Sequence, residues 1–277
     1  MAPDSTPASS TNPASGESQA SHGRKTALVT GGARRIGRAI ALTLAQSGYD
    51  VAVTFRESAA EAEETVRAIE ALGRRAVALE MDQRSETSVR QAATRLITDF
   101  ANEFVSEQRG LEEPRLDLLV NNAAVIDKAP LDEITLAQWD RVFESNTRGP
   151  FLVTRELLPL LKTARGRVIH LGSLGGESAW PQHAHYCASK AALHSLTRTM
   201  AKAFAPEISV NCVAPGYIEM HRPEDGPERP IAQTFANRTP MGRNGTAEEI
   251  AAAVLFFAVG PHFITGQILT VDGGLGI

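Results

Sequence analysis

From Lys25 onward, short apolar runs alternate with longer helical stretches, and this pattern constrains the fold more than any other feature of the chain. The runs are Ala27–Val29, Val51–Val53, Ala76–Leu79, Leu116–Val120, Val168–Leu171, Ile208–Val213 and Ile268–Val271. Between them the spacing predicts helices over about Ile36 to Gln46, Ala59–Leu72, Glu86 to about Glu107, Leu136–Leu161, His185–Phe204 and Ala247–Ala258. Strands that are apolar on both faces and separated by helices belong in a parallel sheet covered on both sides. Right-handed crossovers then wind the helices onto the two faces. The expectation is a single doubly wound α/β domain with a seven-stranded parallel sheet, over residues 24–277.

Residues 1 to about 23 are mostly Ser, Ala, Pro and Thr and carry almost no large apolar side chain. Such a segment cannot offset its ordering entropy by burial, so a disordered tail outside the fold is expected. It lacks the basic start and apolar centre of a secretory signal. The stretch from Asp99 to Arg115 is longer and more charged than a helix-to-strand link needs and reads as a solvated extension. A net charge of -4 leaves no basic footprint for nucleic acid. No run approaches the ~20 apolar residues of a membrane span. The two cysteines, Cys187 and Cys212, are expected to be reduced thiols in a cytoplasmic protein.

The first run ends in Thr30-Gly31-Gly32-Ala33-Arg34-Arg35-Ile36-Gly37 and passes straight into a helix. Glycines there let the backbone turn tightly and approach a pyrophosphate, which the helix N-terminus favours. This turn resembles that of the short-chain dehydrogenase/reductase family, Thr-Gly-x-x-x-Gly-x-Gly: Thr30, Gly31 and Gly37 match, and Arg35 replaces the middle glycine, as in pteridine reductases and some other NADPH-dependent members. The resemblance implies a Rossmann-type fold that binds a nicotinamide dinucleotide. A carboxylate ~20 residues past the turn would bind the ribose 2′-hydroxyl of NAD. Here Thr54-Phe55-Arg56-Glu57-Ser58 ends in a cation instead. Glu57, one step along a strand from Arg56, is expected on the opposite face. Arg35, Arg56 and Ser58 therefore point to NADPH/NADP+ over NADH/NAD+.

Tyr186 and Lys190 stand four positions apart, so a helix brings both to one face. Ser173 follows the run Val168–Leu171, Asn146 lies inside a helical stretch, and Asn121-Asn122-Ala123-Ala124 follows the fourth run. Together they resemble the family's catalytic tetrad. The resemblance implies Tyr186 as acid/base, Lys190 tuning it while holding the nicotinamide ribose, Ser173 donating to the substrate oxygen, and Asn146 ordering a water. An ammonium ~4 Å from the phenol contributes up to about 4 kcal/mol at an effective dielectric of 20, enough to lower its pKa by as much as about 3 units. By the same resemblance Gly31, Arg35, Ile36 and Gly37 line the pyrophosphate turn, and Asp82 contacts the adenine amino group. Asn122 and Ala123 flank the cofactor, and Pro215, Gly216 and Ile218 approach the nicotinamide amide. Met220 stands where many relatives bond the cofactor through a threonine.

Overall the chain is most similar to 3-oxoacyl-acyl carrier protein reductases and the broad carbonyl reductases around them. The expected activity is hydride transfer between nicotinamide and a small-molecule ketone or secondary alcohol, with no metal ion. A 3-oxoacyl thioester reductase, a pteridine reductase (which would have aspartate at Ser173) and a non-catalytic NADP-sensing protein remain alternatives. Trp180, His183 and His185 are candidates to line the substrate pocket, and the segment from Tyr217 to Asn244 to cover it. Ala247–Ala258 is apolar all round, so a second buried face is expected. With the family's usual pairing through two long helices, this predicts a homotetramer.

Overall fold

The computed structural model describes residues 24–101, 114–220 and 230–277. The expectations for the tail, for most of the 99–115 extension and for the polar stretch 221–229 within the segment expected to cover the pocket lie outside the described residues. Seven parallel strands form one sheet in the order β3-β2-β1-β4-β5-β6-β7. They are β1 (Lys25–Val29), β2 (Tyr49–Phe55), β3 (Ala76–Glu80), β4 (Leu118–Asn121), β5 (Arg167–Leu171), β6 (Ser209–Pro215) and β7 (Ile268–Val271). Strand direction and register are set by pairs such as Ala27 with Val51 and Leu118, and Val168 with Val210. The winding reverses between β1 and β4, and in such sheets the crevice at the carboxyl ends of those strands receives the ligand.

Side-chain alternation divides the core in two. Leu28, Ala52 and Val168 face a cluster with α3 (Glu86–Arg95), α5 (Gly149–Ala164) and α6 (Ala184–Phe204). Ala27, Val29, Val51 and Val53 face the opposite cluster, with α1 (Arg35–Gln46), α2 (Ala59–Glu70) and α8 (Ala247–Val259). Each strand residue thus packs on one helical layer or the other, as period-two geometry requires. Thr246 and Glu249 cap α8 reciprocally.

Three helical expectations change. The helix from Glu86 is α-helical only to Arg95 and continues as a wider π-helical stretch, Leu96–Ala101. The helix expected over Leu136–Leu161 is divided into α4 (Leu136–Phe143) and α5 by a π-helical turn, Glu144–Arg148. Pro150 is the reason: a proline has no N–H for the carbonyl of residue 146, and its ring crowds that carbonyl in a regular helix. A helix that was not expected, α7 (Pro230–Arg238), follows the polar stretch.

Candidate active site

The turn after β1 is built for close approach. Gly31 has φ of +63°, and Arg35, in the place of a glycine, adopts φ of +53°. A Cβ on Gly37 would lie 2.2 Å from the Gly31 carbonyl oxygen, so no side chain fits there. The buried Thr30 hydroxyl accepts from the amides of Asn122 and Ala123 at 2.9 and 3.0 Å. The Asn122 side-chain amide donates to the carbonyls of Thr30 and Gly31 at 2.8 and 3.2 Å. Asn122 therefore braces the turn from the wall of the groove. No side chain caps the N-terminus of α1, and its first turn holds no acid, which leaves the amides and their partial positive charge available to an anion.

From this turn a groove of about 420 Å³ runs along the carboxyl ends of the strands. Gly31, Arg35, Ile36, Gly37, Arg56, Ser58, Asp82, Asn122 and Ala123 all line it, together with Arg34, Gln83, Arg84 and, at the far wall, Met220. Glu57 also lines it and pairs with Arg56 at 2.7 Å. The expectation that Glu57 faces away is corrected: β2 ends at Phe55, so strand alternation no longer governs its direction. Asp82 accepts from the Arg84 guanidinium, from Nε at 3.0 and 3.2 Å and from Nη2 at 2.6 Å, and this pairing lowers its pKa. Arg84 was not foreseen; its two-residue spacing from Asp82 was the available signal.

The tetrad converges beyond Val125. The Asn146 amide accepts from Val125 N–H and donates to Val125 C=O, both at 2.9 Å, and donates to Ser189 Oγ at 3.1 Å. Ser173 follows β5, and its Oγ accepts from Gly175 N–H at 3.0 Å, which leaves its own proton to donate. Tyr186 and Lys190 share a face of α6, with Lys190 Nζ 5.8 Å from the centre of the tyrosine ring. The ammonium is buried and donates to the Leu171 carbonyl at 2.7 Å. Burial lowers the Lys190 pKa to about 8.

The expected lowering of the Tyr186 pKa is not what the site shows. Burial raises it, and a hydrogen bond with Ser173 only partly opposes that. The lysine is committed to a carbonyl and has itself lost charge stability in the same dry surroundings. Trp180 stacks on Tyr186, ring centres 6.0 Å apart and 14° from parallel, with His183 edge-on to Trp180. His185 is fully buried. Of the expected pocket residues, Trp180 and His183 thus gather at the tyrosine. Pro215 ends β6, Gly216 N–H donates to Val271 C=O, and Ile218 pairs with Gly245. A Cβ on Gly216 would press on Asp272 at 2.5 Å.

Residues 31–276 match a family model described as enoyl-(acyl carrier protein) reductase. A 3-oxoacyl-[acyl-carrier-protein] reductase of Synechocystis is 36% identical over 253 residues, covering 90% of this chain and 96% of that protein. A dehydrogenase/reductase of Sinorhizobium meliloti is 38% identical, with a TM-score of 0.81 over 91% of this chain and 95% of that one. A blue fluorescent protein from a metagenomic library, solved in complex with NADPH, is 34% identical with a TM-score of 0.79 over 91% of this chain and 98% of that one.

Proposed function

This chain belongs to the short-chain dehydrogenase/reductase family, and on that premise we propose that it is an NADPH-dependent carbonyl reductase acting on a small ketone. It is an NAD(P)-dependent oxidoreductase that works between an alcohol and a carbonyl. The observation that carries the finer reading is the meeting of Ser173 with Tyr186 and of Tyr186 with Lys190, next to Asn146, which is bonded to Val125 in the wall of a groove rimmed by arginines.

The groove fits a dinucleotide, because Gly31 and Gly37 let the turn fold tightly on itself and on Asn122, which presents the uncapped start of α1 to a pyrophosphate. In this reading the turn and the amides of α1 hold the pyrophosphate, and Arg35, Arg56 and Ser58 hold the 2′-phosphate. Asp82 takes the adenine amino group, with Asn122 and Ala123 alongside. Lys190 and Tyr186 hold the nicotinamide ribose, and Pro215, Gly216 and Ile218 the amide. The bound cofactor supplies the hydride. Ser173, hydrogen-bonded to Tyr186, turns its proton to the substrate oxygen and stabilises developing charge there. Tyr186 holds its proton at neutral pH and can deliver it to the substrate oxygen, although burial, by raising its pKa, makes it a weaker acid than an exposed phenol. Lys190 keeps a positive charge nearby below about pH 8. Asn146 fixes the Val125 backbone against α6.

A 3-oxoacyl thioester is the second substrate reading, favoured by the Synechocystis relative. The enzyme in this reading is a homotetramer. It is also cytoplasmic, a placement supported by its two unpaired thiols. No helix among the described residues is long and apolar enough to cross a membrane. The test is a panel of ketones, 3-oxoacyl thioesters and alcohols with NADPH and NADH, run on wild type and Tyr186→Phe. Wild type should reduce at least one carbonyl with NADPH, and Tyr186→Phe should lose more than nine-tenths of kcat while still binding NADPH. A wild type that binds NADPH but turns over no carbonyl would overturn the reading in favour of a sensor.

A further inference from the structure

The π-helical turn before α5 leaves a carbonyl in need of a donor. Gly149 N–H, which would bond Ser145 C=O in a regular helix, reaches back to Glu144 C=O instead. The next amide along belongs to Pro150, which has no N–H. Ser145 is buried, and a buried carbonyl without a partner is costly. Gln83 supplies the partner. Its Nε2 donates to Ser145 C=O at 2.7 Å and to Ala123 C=O at 2.8 Å, using both protons. Two carbonyls facing one amide also fix which end is nitrogen, since Oε1 in that place would meet two other acceptors. Gly149 makes room for this arm: a Cβ there would lie 2.7 Å from Gln83 Cγ.

We propose that Gln83 is a positioning residue for the reaction: from the adenine side of the groove it completes the π turn and so sets Asn146 against Val125 and α6. The proposal rests on the catalytic reading of Asn146. Gln83 touches the Ala123 backbone of the cofactor wall and the Ser145 backbone next to Asn146, so one amide joins the two regions. Asn146 then clamps Val125 on both edges and reaches Ser189 on the helix that carries Tyr186 and Lys190.

The test uses Gln83→Met, which keeps the length and removes both donors, and Gln83→Glu. Hydrogen exchange over residues 140–151, read without substrate, should quicken at least tenfold in Gln83→Met while the rest of the protein keeps its protection. On the best carbonyl of the panel, kcat should fall at least tenfold with KM for NADPH within threefold of wild type. Gln83→Glu places a carboxylate against two carbonyls. Relative to wild type at each pH, its kcat should recover as pH falls and the carboxyl regains a proton to donate, whereas Gln83→Met should show no such recovery. Wild-type exchange and kcat in Gln83→Met would overturn the proposal, as would an equal pH dependence in both variants. Loss of protection throughout both variants would make Gln83 an ordinary core residue and also overturn it. If wild type reduced no carbonyl, the functional reading would fall while the exchange measurement still judged Gln83.

Discussion

Arg56 stands just past the end of β2 with its guanidinium partly neutralised by Glu57. A phosphate offers it a doubly charged partner in place of an exposed carboxylate, and charge-assisted contacts of this kind contribute about 1.5–3 kcal/mol, roughly 10- to 150-fold. Arg56→Ala should therefore raise KM for NADPH by roughly 10-fold or more and leave KM for NADH nearly unchanged. Steady-state kinetics with both cofactors decide it: an equal rise for the two, or a wild-type preference for NADH, rules out the phosphate role. Arg35 was legible as a cation at the turn, but its φ of +53° was not. That conformation comes from the turn as a whole, and for a residue with a Cβ it costs about 1–2 kcal/mol.

In the element formed by β5 and α6, two buried histidines lie close to the charge of Lys190. His170 lies wholly inside the sheet, its Nδ1 3.2 Å from the Asn121 amide. His194 fits between Gly172 and Gly176, where a Cβ on either would lie 2.4–2.6 Å from its ring. Burial, and then the Lys190 charge, lowers their pKa values to about 3 and about 4. Both lie below the ordinary histidine value, so between pH 6.5 and about 4 the unfolded chain takes up protons that the folded one refuses. Stability should thus fall as pH drops through that window, by up to about 1.4 kcal/mol per pH unit for each histidine. Thermal midpoints from pH 7 to 4.5 check this. His194→Gln should flatten the slope, and an unchanged slope would clear His194 of the effect.

The strands were legible at this scale because runs buried on both faces, such as Ala27–Val29, admit few other readings. The division of α4 from α5 was harder to see. Pro150 alone fits a kink, a start or a π turn, and the deciding donor is Gln83, more than sixty residues earlier in the chain. The same limit explains Tyr186. Spacing gave its partner on the helix, whereas its pKa follows from burial that only the assembled site provides. Arg84 and Trp180 likewise act through neighbours brought close by the fold.

At the scale of the whole molecule, two groups of exposed apolar side chains among the described residues bear on assembly. One comprises Phe256 and Val259 of α8, Phe263 in the turn that follows and Leu269 of the edge strand β7. The other lies on α4 and α5, at Leu136, Trp139 and Phe151. Exposed apolar side chains of this size suit an interface, and two closed two-fold contacts on one chain would build a D₂ tetramer. Light scattering on the gel-filtered protein at micromolar concentration should give four times the 29.7 kDa chain mass. A mass of one chain excludes assembly, and a mass of two leaves only one of the areas as an interface.

The single direction of the strands has a consequence for how such a chain can change over generations. Every residue of the site sits at the carboxyl ends, from the turn after β1 to Gly216 after β6. After α3 the chain must return to the amino end of β4, on the opposite rim, so Leu118 enters the sheet a full strand length from the chemistry. That rim answers only to stability. Length and charge can drift there without passing through a catalytic filter, while on the working rim a single methyl, such as one on Gly37, is already too much. The fold thus confines selection for activity to one face and leaves the other open to variation.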